Sequence, residues 1–195
     1  MLKVTDLPAT FTTSQARRAG ISFRDLYRAR DDGDVIELSR GVFRQTDAPA
    51  PSYPDLLAVA HRAPRGVVCL LSAAAVHDLT DEVPLAVQIA VPRGTWPPVI
   101  TYPAVEVFIY DAATFDLGLE SVNAAVGEPV KVYSPMRTVV DLMRLRQRIG
   151  ESVAHLALRR YVSSPQAQIG ELMQLARALD VLGPTRAAVD VLTAS

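Results

Sequence analysis

A chain of 195 residues has room for one large domain or two small ones, and a composition 49% apolar and 21% charged is that of a folded protein with a sizeable core. A formal net charge of -1 excludes a polycation, so any contact with nucleic acid must come from a local patch. A lone cysteine, Cys69, excludes an internal disulfide, and no Cys/His cluster exists for zinc. The opening segment MLKVTDLPATF lacks the apolar core of a secretory signal, and no apolar run reaches transmembrane length. The expected setting is cytoplasmic, with no membrane, metal or cofactor.

The first elements lie between Phe11 and Arg44, FTTSQARRAGISFRDLYRARDDGDVIELSRGVFR. Thr12 or Thr13 can cap a helix through Ser14–Ala19, stopped at Gly20. Ser22 is a good cap for a second helix from Phe23 to about Arg30, with Asp25 completing a variant capping box and Ile21 and Leu26 spaced as a hydrophobic staple. Gly33 supplies its left-handed stop. Val35–Leu38 and Val42–Arg44 are short β-prone runs around Ser39-Arg40-Gly41, a hairpin signal. Two short helices, a tight turn and a hairpin form the pattern of a winged helix-turn-helix. Ala16, Ala19, Ile21 and Leu26 face inward in this reading, which leaves Arg24, Tyr27, Arg28 and Arg30 exposed on the second helix. In such a motif that helix enters the major groove, where the arginine fork pairs with guanine or clamps phosphate. Arg40, at the hairpin tip, is placed for a wing contact. Residues 1–46 carry a net charge of only +2, and Asp31, Asp32 and Asp34 lie close to the expected interface. A solvated helix face therefore stays open beside DNA binding.

Asp47-Ala-Pro-Ala-Pro-Ser-Tyr-Pro54 is a proline-rich connector. It divides the chain into 1–46, a linker 47–54, and 55–195. Asp55–Arg62 reads as a helix, Val67–Leu71 as a buried strand, and Ser72–His77 as a helix capped by Ser72. Ala86–Val91, Ile100–Thr101, Val105–Tyr110 and Val130–Tyr133 read as further strands. At Ser134-Pro135 the period changes: serine caps, proline takes the first helical position, and Met136, Val139, Val140 and Met143 follow at i, i+3, i+4 and i+7. Val153, Leu156, Ala157 and Tyr161 mark a second helix, Ser164-Pro165 opens a third, and Pro184 opens a short fourth. The expected fold is α+β: an N-terminal winged helix-turn-helix, then a mixed α/β domain ending in a helical bundle.

The most basic window is Lys131–Arg160, with seven Lys/Arg against two Asp/Glu. Arg137, Asp141, Arg144 and Arg148 share a helical face, where Asp141 can neutralise part of the charge through i, i+4 and i, i+3 pairs. The window is either a solvated face or a docking surface, for an acidic partner or a second stretch of DNA. Arg144, Arg148, Arg159 and Arg160 would carry that partner contact. Signs of catalysis are scarce. His77, Asp78 and Ser72 include triad residue types without the spacing of a nucleophile elbow. There is no glycine-rich phosphate loop, and the carboxylates have no metal-ligand spacing. No catalytic residue is assigned.

Four segments resemble a known family in the same order. FTTSQARRAGIS with DGDVIELSRGVFR is similar to the N-terminal winged helix of AbiEi-type antitoxins of AbiE toxin–antitoxin systems, which include the mycobacterial MenA-type pairs. LLSAAAVHDLT resembles the family's strand–serine–helix segment, VQIAVPRG its central strand and turn, and VYSPMRTVVDLM its S-P-x-R-T-hydrophobic-x-D-L helix. The resemblance covers Phe11 to about Met143. It implies an antitoxin that represses its own operon by binding inverted repeats in promoter DNA, self-associating there, and that counters a nucleotidyltransferase toxin. It also implies DNA contacts from the wing at Arg40 and Arg44 and from Arg24, Tyr27 and Arg28 on the second helix, and a structural Arg137–Asp141 pair. No nuclease-like run of acidic residues and lysine is present, unlike relatives that carry a nuclease domain. Two other functions stay open on the residues: a protein-interaction module with a vestigial helix-turn-helix, or a transcriptional regulator with no toxin partner.

Overall fold

A computed structural model describes residues 4–194; the first three residues of the opening segment lie outside it. The fold is α+β. A three-stranded antiparallel sheet has the order β1-β3-β2, and a five-stranded mixed sheet the order β6-β5-β4-β8-β7. The chain divides into two compact units. The first takes residues 1–65, 98–105 and 122–130; the second takes 66–97, 106–121 and 131–195.

The first unit begins with β1 (Thr10–Thr12), a strand with no counterpart among the expected elements, and continues with α1 (Thr13–Arg18) and α2 (Phe23–Asp31). Thr12 caps α1 in a complete capping box: its hydroxyl accepts from the Gln15 amide, and Gln15 Oε1 takes the Thr12 N–H at 2.7 Å. At α2 the Ser22 hydroxyl accepts the Asp25 amide and donates to Asp25 Oδ2 at 2.6 Å. Strands β2 (Val35–Ser39) and β3 (Val42–Gln45) form the hairpin, and α3 (Pro54–Arg62) packs against both. Phe11, Ala16, Ile21, Leu26, Val35 and Phe43 close a small core, with Phe11 and Phe43 stacked at 6.0 Å. Ala19 is only partly buried.

Arg44 corrects an expectation. The wing reading puts it on DNA, but its side chain is 2% exposed. Its strand, β3, is the central one, flanked by β1 and β2. Nη1 donates to Thr10 Oγ1 and to Glu128 Oε1, both at 2.6 Å, and Nη2 donates to the Pro49 carbonyl. A buried guanidinium needs a counter-charge and oxygen acceptors, and Arg44 spends its charge inside the unit.

In the five-stranded sheet β4 is only Val67–Val68, antiparallel to β5 (Val87–Pro92) and parallel to β8 (Glu128–Tyr133) at Val68–Val132. The expected strand to Leu71 ends early because Leu70 takes a positive φ of 49° and starts α4 (Leu70–Val76). Ser72 does not cap that helix. Its hydroxyl accepts the Gln88 amide, while Gln88 Oε1 accepts the Leu71 amide at 2.8 Å, so a side chain on β5 satisfies the first turn. β6 (Val105–Tyr110) is one edge of the sheet and β7 (Leu119–Ala125), unforeseen in the sequence, the other. The expected strand Ile100–Thr101 is irregular chain.

The helices α5 (Pro135–Arg144), α6 (Arg146–Ile149), α7 (Glu151–Val162), α8 (Ile169–Ala178) and α9 (Leu182–Thr193) follow; α5 packs on α4, α7, α8 and α9. Ser134 caps α5 with Pro135 in the first turn, as expected. Ser164-Pro165 opens only a turn: Ala167 N–H bonds back to the Ser164 carbonyl, Gln168 N–H donates to Tyr161 Oη, and helix resumes at Ile169. Pro184 sits in the first turn of α9 rather than at its start.

At the centre of this unit lies Arg137, fully buried with Asp141. Nε donates to Asp141 Oδ2 at 2.8 Å, and Nη1 donates to the carbonyls of Thr114 and Leu117 at 2.7 and 2.8 Å. The guanidinium lies 4.6 Å from the Tyr133 ring centre and 5.5 Å from that of Tyr110. Arg144 Nη2 reaches Asp141 Oδ1 at 2.9 Å. Burial pushes the Asp141 carboxyl up, and the two arginines pull it back down. The i, i+4 and i, i+3 pairs are those expected.

Removing one partner leaves an uncompensated buried charge. Asp141→Ala is expected to lower unfolding free energy in urea by about 3–5 kcal/mol, and Arg137→Met with Asp141→Leu by clearly less. Equal losses would show that packing, not charge, carries the site. Arg44→Met should destabilise toward the lower end of roughly 3–5 kcal/mol, since Glu128 keeps some solvent. Arg40→Ala should stay within about 0.5 kcal/mol.

Candidate nucleic-acid interface

The second helix of the first unit turns Leu26 and Ala29 into the core. Residues at i, i+3, i+4 and i+7 then share its outer face: Arg24, Tyr27, Arg28 and Asp31, all exposed. Phe23, 48% exposed, stands beside them under the guanidinium of Arg17, which lies 5.2 Å from its ring centre. Tyr27 packs edge-on against Phe43 at 6.2 Å, so its ring is anchored in the core while its edge meets solvent.

The cations are unequal. Arg30 is bound to Asp31 through two nitrogens, at 2.9 and 3.1 Å, and reaches Glu37 at 3.5 Å. Its guanidinium also lies 4.8 Å from the Tyr27 ring centre. The hydrogen bonds that Arg30 donates to Asp31 hold it even more firmly in its charged form. Its charge is thus matched by neighbouring acids. Arg24, Arg28 and Arg40 form no ion pair among the described residues and are exposed.

The hairpin tip is tied to both helices. Glu37 Oε1 accepts the Gly41 amide at 2.9 Å while its other oxygen faces Arg30, so one carboxylate bridges α2 and the turn. The Thr13 amide donates to the Gly41 carbonyl at 2.9 Å. Gly41 has φ +78°, and a Cβ there would meet Thr13 Oγ1 at 3.1 Å. Only glycine suits that backbone. Arg40 therefore stands on a braced turn beside α2. The acidic loop closes the other end of α2: Asp32 is its C-cap, and Asp31, Asp32 and Asp34 are all exposed.

Of the residues expected at the interface, the structure gathers Arg24, Tyr27 and Arg28 on one face and joins the Arg40 turn to α2 through Glu37. Arg30 is neutralised and Arg44 is buried. Arg17, at the end of α1, was missed; Phe23 at the start of α2 was the available signal, an aromatic able to carry a cation.

The basic window 131–160 looks different in three dimensions. Arg137 is buried. Arg144 meets Asp141 and lies 4.7 Å from the Tyr110 ring centre. Arg148 meets Glu106 at 2.6 Å over Phe108, Arg146 approaches Glu151, and Arg160 is paired with Asp81. Arg159 is exposed and forms no ion pair among the described residues. Two of these acids, Glu106 and Asp81, come from outside the window. Arg137, Arg144, Arg148 and Arg160 are thus engaged within the unit, which leaves Arg159 as an exposed arginine with no ion pair among the described residues.

Clefts open in both units. One, of about 340 Å³ in the first unit, is lined by Thr10, Gln15, His61 and Glu128 among others. The second, of about 1000 Å³, lies in the second unit between the start of α5 and α8. No group of three or more metal-ligating side chains occurs among the described residues, and no helix there is long and apolar enough to cross a membrane.

Residues 8–44 match a family model described as "Transcriptional regulator, AbiEi antitoxin". That span runs from just before β1 to Arg44 and includes α1, α2 and the hairpin. The crystal structure of the RV2827C protein from Mycobacterium tuberculosis is similar, with a TM-score of 0.50 and 14% identity, over 95% of this chain and 77% of that one. At that identity the likeness concerns the fold alone. No curated protein matches the chain. With its capped helices and braced hairpin, the segment 8–44 is similar to the AbiEi antitoxin transcriptional regulators.

Proposed function

We propose that the chain is a DNA-binding autorepressor and antitoxin, and that its first 46 residues act as a winged helix-turn-helix with α2 as the recognition helix and the β2–β3 turn as the wing. The observation that carries this reading is the exposed face of Arg24, Tyr27 and Arg28, whose cations have no acid partner, next to the braced turn of Arg40. The match of residues 8–44 to AbiEi regulators supports it. Arg24 and Arg28 read base edges or clamp phosphate in the major groove; Arg40 contacts backbone or minor groove. Arg30 orients Tyr27 rather than binding DNA. The target is an inverted repeat in the chain's own promoter, occupied by two copies that associate on the DNA. Residues 55–195, ending in the helical bundle, counter a nucleotidyltransferase toxin encoded beside it, and the protein works in the cytoplasm without catalysis of its own.

The test is gel retardation of the promoter fragment by the full chain across a salt series. Phosphate contacts release counterions, so affinity should fall steeply with salt. Arg28→Ala and Arg40→Ala are each expected to weaken binding and to flatten the salt slope by about one per lost phosphate contact. Arg24→Ala should cost about 1–3 kcal/mol if it reads a base, with discrimination lost at one operator position. Arg159→Ala should change nothing. Absence of any shift by the wild-type chain at low salt removes the DNA half of the proposal. Growth on co-expression with the neighbouring toxin tests the other half.

A further inference from the structure

The large cleft of the second unit plays no part in DNA reading, and its surface has a definite chemistry. Helix α8 turns one stripe into it, Glu171, Gln174, Leu175 and Ala178, spaced i, i+3, i+4 and i+7. Opposite stand Pro135 and Met136 from the first turn of α5, and Leu117, 40% exposed, on the preceding loop. Leu117, Met136, Leu175 and Leu79 give an apolar floor. Two exposed carboxylates, Glu120 and Glu171, stand at its margin, and no lysine or arginine lines it among the described residues.

One wall of this groove is fixed in advance. The Leu117 and Thr114 carbonyls are held by Arg137, and the Gly118 carbonyl accepts the Ser134 amide at 2.8 Å. Gly118 has φ +69°, and a Cβ on it would lie 2.6 Å from Arg137 Cβ, so the loop closes on the arginine only with glycine there. A wall that does not reorganise lowers the cost of binding. The α8 stripe, eight residues from Glu171 to Ala178, presents about 10 Å of helix, roughly two turns.

We propose that this groove docks a cationic amphipathic helix of a protein partner. Its apolar stripe lies on Leu117, Met136 and Leu175, and its lysines or arginines face Glu120 and Glu171. This is the helix-in-groove mode, with charge at the rim setting orientation and partner choice. An anionic ligand is disfavoured by both carboxylates. That the partner is the toxin rests on the antitoxin reading above; the groove itself does not.

The probes are two labelled helical peptides with the same leucine spacing, one flanked by lysines and one by glutamates, titrated into the full chain by fluorescence anisotropy. The lysine peptide is expected to bind and the glutamate peptide not. Glu120→Lys with Glu171→Lys should weaken the lysine peptide at least about tenfold, and Leu175→Asp likewise. The two glutamates are exposed, so the double variant keeps the test valid even if Leu175→Asp unfolds. Equal binding of both peptides, no binding of either, or indifference of the lysine peptide to the glutamate double variant overturns the proposal. Retardation of promoter DNA by that variant should stay at the wild-type level. A wild-type chain that binds the lysine peptide in the groove yet gives no protection against the toxin would sink the antitoxin reading and leave the groove standing.

Discussion

A guanidinium taken out of water needs a counter-charge and oxygen acceptors, and each unit of this chain is organised around one that finds a carboxylate and further oxygens, though Arg44 Nε and Arg137 Nη2 are left without an acceptor among the described residues. In the second unit Arg137 takes one carboxylate on its own helix and two carbonyls from the loop before β7. Those carbonyls belong to residues with no regular secondary structure of their own beyond a short 3-10 turn, so the arginine gives the loop its shape. The requirement spreads outward: the loop must approach α5 closely, which demands Gly118, and Asp141 must be shared with Arg144. In the first unit Arg44 does the same for Thr10, Pro49 and Glu128, drawing together β1, the proline-rich connector and the first residue of β8. Neither arginine adds much net stability against a well-packed apolar alternative. What each does is make one arrangement of several chain segments satisfy it and others fail.

The same accounting decides where positive charge is left for a partner. Charge counted along a window is one-dimensional, and acids from elsewhere in the fold cancel it. Glu106 and Asp81 do this for Arg148 and Arg160, and Asp141 for Arg137 and Arg144. The most basic window in the sequence thereby loses its patch. The N-terminal segment, with a smaller excess, keeps one, because Asp31 and Glu37 are committed to Arg30 and leave Arg24 and Arg28 unmatched. Surface ion pairs of this kind contribute little to stability, but they settle which cations remain available.

What could be read from sequence was what is decided within a turn of chain. Thr12 with Gln15, Ser22 with Asp25 and Ser134 with Pro135 are contacts three residues apart or fewer, and the helices start where they say. Gly20, Gly33 and Gly41 sit at positive φ where a stop or hairpin was expected. The misreadings share another cause. Ser72 has the look of a cap, but the group that satisfies the first turn is Gln88, on the next strand. Ser164-Pro165 carries a start signal, but the turn is tied to Tyr161 before helix can propagate. β1 is three residues long and β7 carries neither an alternating pattern nor a sustained apolar run, so both exist by pairing rather than by propensity. Missing β1 had a direct consequence at the site. β1 sets Thr10 directly opposite Arg44 and so supplies one of the oxygens that hold the buried guanidinium.

The acidic loop at the end of α2 remains the strongest objection to DNA in the proposed interface, and helix geometry limits its reach. Arg24 lies in the first turn and Asp32 caps the last, eight residues apart, about 12 Å along the axis. That exceeds a Debye length of roughly 8–10 Å at physiological salt, so exposed carboxylates at one end are largely screened from phosphate at the other. Asp31, nearer to Arg28, is held by Arg30 in a two-nitrogen contact that offsets its charge locally. The recognition helix of a helix-turn-helix presents its N-terminal residues to the base edges. On the DNA-binding reading proposed above, an acidic C-terminal end constrains docking: it disfavours any pose that lays the whole helix along the backbone and favours one in which Arg24 leads and the loop stays outside the groove. Repulsion at Asp32 and Asp34 and attraction at Arg24 and Arg28 point the helix the same way.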